Sequence, residues 1–266
     1  MLTRLHIFAG LLTLANLLLY AAVGLAELLP KPHAAAPVVW EQPFAVQPGE
    51  SDRAVAERVV QLLGLSLATP VHDFAIGHDR SGRLVLDLYH ANGRHKVTLR
   101  DGQLHVEQSR AGLAKYLNTL HVTTAAFRSG DGRMQLWAWW NEFAMWCVAV
   151  MALTGVWIWW RRRGTRGVVR RTHRWTAMAA LTLLAIYQIS AVQLAHRTWL
   201  PVTILNRIHR LRGLSFSPLL GVGIAILCAS GVLLWWQLRR DRRSGAAMLA
   251  LGSLLAGGLI IWMRLG

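Results

Sequence analysis

The chain has 266 residues, of which 54% are hydrophobic and 13 are Trp, with a mean hydropathy of +0.33. That is too apolar for an ordinary soluble domain, and its two cysteines exclude a disulfide-stapled scaffold. The formal charge of +16 does not indicate nucleic-acid binding, because the region Lys31–Arg133 is nearly balanced, with 12 Lys/Arg against 10 Asp/Glu. The excess lies beside the apolar stretches instead.

In chain order, five stretches have the roughly 20 apolar residues that a membrane span needs: Leu5–Leu29, Leu136–Trp160, Trp175–Ala195, Leu214–Trp236 and Gly245–Met263. The first opens with Arg4-Leu5-His6 and carries Asn16 and Tyr20. A cleavable signal peptide ending at Ala34-Ala35-Ala36 is the rival reading, but the apolar core is longer than a signal peptide's 7–15 residues. Pro30, Pro32, Pro37, Pro43 and Pro48 then mark residues 30–50 as an extended linker.

Residues 51–133 read as a small α+β domain. Ser51 is placed as the N-cap of an amphipathic helix with Val55, Val59, Val60, Leu62 and Leu63 on its apolar face. Alternating runs follow at Val71–Gly77, Leu84–His90, His95–Arg100 and Gln103–Gln108. Asn92-Gly93 and Asp101-Gly102 between them are strong hairpin signals, so the runs are expected to form a small antiparallel sheet. A helix over Ala111–His121 leads on to the second span.

The short loop after that span holds Arg161, Arg162, Arg163, Arg166, Arg170, Arg171 and Arg174, and the loop after the fourth holds Arg239, Arg240, Arg242 and Arg243. Short Arg-rich loops mark the cytoplasmic side. Alternating spans then put the N-terminus inside and Lys31–Arg133 outside, with the connection His196–Ser217 and the C-terminus also outside. Trp157, Trp159, Trp160, Trp175, Trp235 and Trp236 flank the Arg loops as an interfacial belt. Cys147 and Cys228 lie mid-span and read as small buried apolar residues.

The membrane part contains a repeat. His6 is followed fourteen residues on by Tyr20, and His173 fourteen residues on by Tyr187. Leu117-Asn118-Thr119-Leu120-His121 precedes one span, and Leu205-Asn206-Arg207-Ile208-His209 another. Those two spans close alike, Thr154-Gly155-Val156 to Trp159-Trp160 and Ser230-Gly231-Val232 to Trp235-Trp236. Histidine at a span boundary is costly without a role. For one such residue, headgroup contact is the stronger reading; four in matched positions favour ligation. Two imidazoles from facing helices can hold one haem iron, which gives an inner pair, His6 with His173, and an outer pair, His121 with His209. His196, about 34 Å along a helix from His173, reaches the outer face too and is the alternative outer ligand. Low-spin bis-His haem suits electron transfer. His33, His72, His78, His90, His95 and His105 are taken as solvated surface histidines. Tyr20, Asn16, Tyr187 and Gln188 are expected to serve interhelical hydrogen bonds.

The helix and meander carrying Gly82-Arg83-Leu84-Val85-Leu86-Asp87-Leu88-Tyr89 and Gly102-Gln103-Leu104-His105-Val106 resemble a PepSY domain. With Arg4-Leu5-His6, Leu120-His121, Ala152-Leu153-Thr154-Gly155-Val156-Trp157 and Trp159-Trp160-Arg161-Arg162-Arg163 in the flanking spans, nearly the whole chain resembles the PepSY-associated transmembrane helix family. The resemblance implies a mainly α inner-membrane protein of about five transmembrane helices. A PepSY-like domain at 51–133 would be periplasmic, inserted between helix 1 (1–29) and the membrane domain 134–266. It also implies an oxidoreductase that reduces a ferric siderophore or ferric chelate in iron uptake. Two b-type haems are expected, and with no nucleotide cradle in the sequence the electron donor is left open. The alternative is a membrane-anchored PepSY module that binds or modulates a periplasmic protease or partner protein.

Overall fold

The computed structural model describes residues 1–26, 28, 36–65, 75–123, 131–161, 167–180, 216–238 and 242–265. In chain order the elements are α1 (Leu2–Leu12), α2 (Leu14–Ala26), β1 (Val38–Pro43), α3 (Asp52–Leu62), β2 (Ile76–His78), β3 (Leu84–His90), β4 (Gly93–Arg100), β5 (Gln103–Arg110), α4 (Leu113–Val122), α5 (Gly132–Arg161), α6 (168–180), α7 (Phe216–Trp236) and α8 (Arg242–Leu265). The chain divides into two compact units. One takes in Met1–Pro30, Thr124–Ala126 and Trp137–Trp262; the other takes in Lys31–Thr123, Phe127–Leu136 and Met263–Gly266.

The first unit is helical. Among the described residues, α5, Pro218–Trp236 of α7, and α8 are each long and apolar enough to cross a membrane. At 30 residues, α5 is about 45 Å long, more than a hydrocarbon core of about 30 Å requires. It buries a stripe at Trp137, Ala138, Asn141, Ala144, Met145 and Val148, the spacing of one helical face, while Trp139, Phe143, Trp146 and Leu153 on its other faces are exposed. Apolar side chains left out of the protein on a span-length helix are what a lipid environment accepts.

The first expected span is not one straight helix. α1 and α2 meet at 60° across Thr13, and they make a fourth span only if the bent pair is taken together. Thr13 is fully buried, and its hydroxyl donates to the Ala9 carbonyl at 2.7 Å. A side chain bonding back to the i−4 carbonyl favours a bend, although the same bond at Thr154 and Ser230 leaves α5 and α7 unbroken. Of the third expected span, Trp175–Ala195, only 175–180 lies among the described residues, at the end of α6. The second and fourth spans begin within a few residues of their predicted starts, and the fifth runs slightly longer, Arg242–Leu265.

Close helix contacts in this unit depend on small residues. A side chain at Gly221 of α7 would come within 2.9 Å of the Ala21 carbonyl of α2. At Gly252 of α8 a Cβ would collide with the Leu12 carbonyl beside the α1–α2 bend. Ala21, Leu220, Ile224 and Cys228 form the packed centre between α2 and α7.

The second unit is a five-stranded antiparallel sheet in the order β1-β5-β4-β3-β2 with two helices. Strand alternation puts Leu84, Leu86, Leu88, Val97, Leu104 and Val106 on one face, against Val55, Ala56 and Val59 of α3. Ser51 caps α3 as the sequence predicts, accepting from the Ala54 amide at 3.3 Å. Asp101 and Gly102, both with positive φ (51° and 73°), make the two-residue turn between β4 and β5.

Three details differ from the sequence reading. The segment 30–50 is not only a linker: Val38–Pro43 pairs with Gln103–Gln108 of β5 as an edge strand, where a proline's missing N–H costs no ladder bond. The β3–β4 turn is Ala91-Asn92 rather than Asn92-Gly93, because Gly93 already pairs with His90 and Arg110. A Cβ at Gly93 would run into the Ser109 carbonyl, so that position demands glycine for closeness to β5. Lastly, residues Met263–Gly266, expected in the membrane domain, belong to this unit. Asn92 donates to the Met263 carbonyl at 2.8 Å, and Arg264 donates to Asn92 Oδ1 and to the Ala111 carbonyl at 3.2 and 3.0 Å. These contacts partner a carbonyl in the last turn of α8 that the helix itself leaves open.

Candidate functional site

The helical unit brings two of the predicted ligands together. His6 on α1 and His173 on α6 have ring centres 6.5 Å apart, with ring planes at 85°. Each sits against the turn of a neighbouring helix that the sequence repeat marks. His6 Nδ1 lies 3.0 Å from Thr154 Oγ1 and 3.0 Å from the Met151 carbonyl on α5. His173 Nδ1 lies 2.8 Å from Ser230 Oγ on α7, with the Leu227 carbonyl as a further backbone partner. The glycine after each hydroxyl residue faces the ring: a Cβ at Gly155 would be 3.3 Å from His6 Cε1, and one at Gly231 3.6 Å from His173 Cε1.

Counting protons fixes the chemistry of both rings. A hydroxyl has one proton to give. Thr154 gives its own to the Val150 carbonyl at 2.7 Å, and Ser230 gives its own to the Ile226 carbonyl at 2.6 Å. Each therefore accepts from the histidine, and carbonyls can only accept. So Nδ1 carries the proton in both rings, and in the neutral form each Nε2 keeps its lone pair. This is the arrangement of a ligating histidine, whose other ring N–H is held by a carbonyl or similar acceptor. The separation also fits. A metal–imidazole bond of about 2 Å, with the ring centre roughly 1 Å behind the nitrogen, puts two imidazoles on opposite sides of one metal roughly 6 Å apart, centre to centre.

The other predicted ligands are distributed differently. His121 ends α4 in the second unit, with its Nδ1 2.9 Å from the Asn118 carbonyl. His196 and His209 lie outside the described residues, as do Tyr187 and Gln188. Among the described residues no group of three or more His, Cys, Asp and Glu is placed to hold a metal ion.

Near the α1–α2 bend, polar side chains satisfy one another. Tyr20 donates to Asn141 Oδ1 at 2.7 Å, Asn16 donates to the same oxygen at 3.3 Å, and Trp140 Nε1 donates to Asn16 Oδ1 at 2.7 Å. Asn16 and Tyr20 thus make the expected interhelical bonds. Asn141 is their fully buried acceptor. Arginines of the basic loops cover the tryptophan belt: Arg161 over Trp157 at 5.1 Å, Arg174 over Trp159 at 5.5 Å and Arg242 over Trp236 at 5.0 Å.

In the second unit, one expected surface histidine is not on the surface. His95 is 3% exposed on the core face of β4, and its Nδ1 is 3.0 Å from His90 Nε2. His78 and His105 stay near solvent, 3.6 Å from Asp52 and 3.4 Å from Glu41. His33 and His72 fall outside the described residues. Thr154 and Ser230 had registered in the sequence only as landmarks of the repeat; their signal was their matched position, each one residue ahead of a glycine and four after the carbonyl that takes its proton.

Fold and site together define a helical protein with span-length apolar helices, a small antiparallel sheet unit, and a close pair of histidines on different helices. No protein-family model, curated protein or solved structure matches the chain.

Proposed function

We propose that the chain is a b-type haem electron-transfer protein of the bacterial inner membrane. The single observation that carries this is the His6–His173 pair: two rings at the spacing of a shared metal, each with Nδ1 anchored and Nε2 left as the ligating nitrogen. His6 and His173 would hold a haem between them, and the group would supply one-electron transfer rather than oxygen binding. The protein's part is to hold the two imidazoles, keep them neutral, and surround them with apolar helices.

The finer reading rests on the sequence repeat. A second haem is proposed between His209 and His121, with His196 as the alternative partner, on the opposite side of the membrane. The sheet unit is proposed to be periplasmic, as the resemblance to PepSY-associated membrane proteins suggests. Electrons would then pass outward to a periplasmic acceptor, and a ferric siderophore or other ferric chelate is the acceptor that the resemblance supports. If the protein is instead a PepSY module anchored for partner binding, the histidine pair has no task.

The deciding experiment is spectroscopy of the full chain purified in detergent from haem-replete cells. The reduced-minus-oxidised spectrum is expected to show the sharp bands of low-spin bis-His haem, at about two haems per chain. His173→Ala is expected to remove one haem and leave the other. A correctly folded, colourless protein sinks the haem reading and favours the anchored module.

A further inference from the structure

Thr154 and Ser230 each stand against the Nδ1 of one of the two histidine rings. Both hydroxyls have committed their protons to the i−4 carbonyl of their own helix, at 2.7 Å (Val150) and 2.6 Å (Ile226). Both then offer only lone pairs to an imidazole Nδ1, at 3.0 and 2.8 Å. In each case the carbonyl three residues before the hydroxyl, Met151 or Leu227, stands beside it as a second acceptor. The same device occurs twice, on α5 and on α7, for the two rings that meet at 6.5 Å. Packing alone does not require it. A valine fills the space of threonine without the oxygen, and an alanine serves beside Gly231.

We infer that Thr154 and Ser230 are matched positioning residues that hold His6 and His173 in the Nδ1–H form, so that both rings present Nε2 to one shared centre, and that they raise the electron-donating strength of both imidazoles. The inference rests on the haem reading of the pair. An N–H···O bond to a fixed acceptor withdraws the proton slightly from Nδ1 and makes Nε2 the better donor. Better axial donors favour the ferric over the ferrous state. Removing one acceptor therefore weakens the bond to iron and moves the midpoint potential upward. Removing the hydroxyl leaves the carbonyl in place, so the effect is partial at each site.

The experiment uses the full-length protein in detergent with Thr154→Val and Ser230→Ala, and the conservative exchanges Thr154→Ser and Ser230→Thr. Three quantities are read: haem retention against an apo-globin acceptor, the midpoint potential of each haem, and the histidine tautomers of haem-free protein by nitrogen-15 NMR. Thr154→Val and Ser230→Ala are expected to lower retention of one haem about tenfold, to raise its potential, and to give the corresponding histidine a mixture of tautomers. The hydroxyl exchanges are expected to restore all three. Wild-type retention, potential and tautomers in Thr154→Val and Ser230→Ala overturn the inference while leaving the haem reading intact. A wild-type protein that takes up no haem overturns the haem reading, and the NMR arm then decides the tautomer assignment by itself.

Discussion

His90 and His95 show how one side chain's surroundings set its proton affinity. Their facing nitrogens are 3.0 Å apart, and the ring centres 4.8 Å. Burial, with the neighbouring His95 ring second, pushes the His90 pKa down to about 4, and burial also holds His95 below the usual imidazole value. The folded protein thus binds protons here less readily than the unfolded chain, whose imidazoles titrate near 6.5. Stability contributed by the neutral pair is intact above pH 6.5 and is lost as pH falls toward 4, by a margin on the order of 2 kcal/mol. Protection factors of the β3 and β4 amides, which correct for the intrinsic slowing of exchange in acid, should therefore fall between pH 7 and pH 4.5, and His90→Gln should remove most of that fall. Equal acid sensitivity in the variant would assign the effect to other groups. Sequence alone misplaced His95 although it shares the parity of Val97 and Leu99, because a histidine at the first position of the expected run reads as a solvated strand end, whereas β4 starts two residues earlier, at Gly93.

Among the elements, α8 separates two kinds of glycine. Gly252 lies against the Leu12 backbone at the α1–α2 bend, whereas Gly257 has nothing within 4 Å of where a Cβ would stand. Gly252→Ala is expected to destabilise the helical unit by about 1–3 kcal/mol through overpacking. Gly257→Ala, gaining only helix propensity, should be neutral or stabilising by up to about 1 kcal/mol. Thermal unfolding in detergent distinguishes them, and similar losses at both positions would deny the close approach. Long apolar runs announced the described spans, and Asp101-Gly102 announced its hairpin. The bend at Thr13 was not legible, since a threonine in an apolar run looks the same whether its hydroxyl bonds the backbone or a neighbour. Nor was β1, because an extended proline-spaced segment becomes a strand only through the edge that β5 offers it, and that pairing is remote in sequence.

For the whole molecule, the reading depends on which side each loop occupies. Reporter fusions after Gly130 and after Gly167 are expected to report opposite sides, the second cytoplasmic because of its arginines. Matching reports would overturn the proposed topology and with it the assignment of inner and outer haem. The repeat itself was legible, and the structure brings His6 and His173 together. What the repeat did not disclose is that the Thr-Gly and Ser-Gly landmarks are the histidines' hydrogen-bonding seats, since partnership between remote helices leaves no local pattern.

The two halves of the site are separated by more than half the chain, and that has a consequence for biogenesis. α1 leaves the ribosome first, carrying His6, but His173 on α6 and the Ser230 turn that holds it are made much later. Chains grow at roughly 5–20 residues per second, so His6 spends several seconds in the nascent protein without its counterpart. Anything that occupies the pair therefore enters after α7 has been synthesised, and a ribosome stalled before Ser230 leaves a chain whose first histidine is in position but whose second has not yet been fixed.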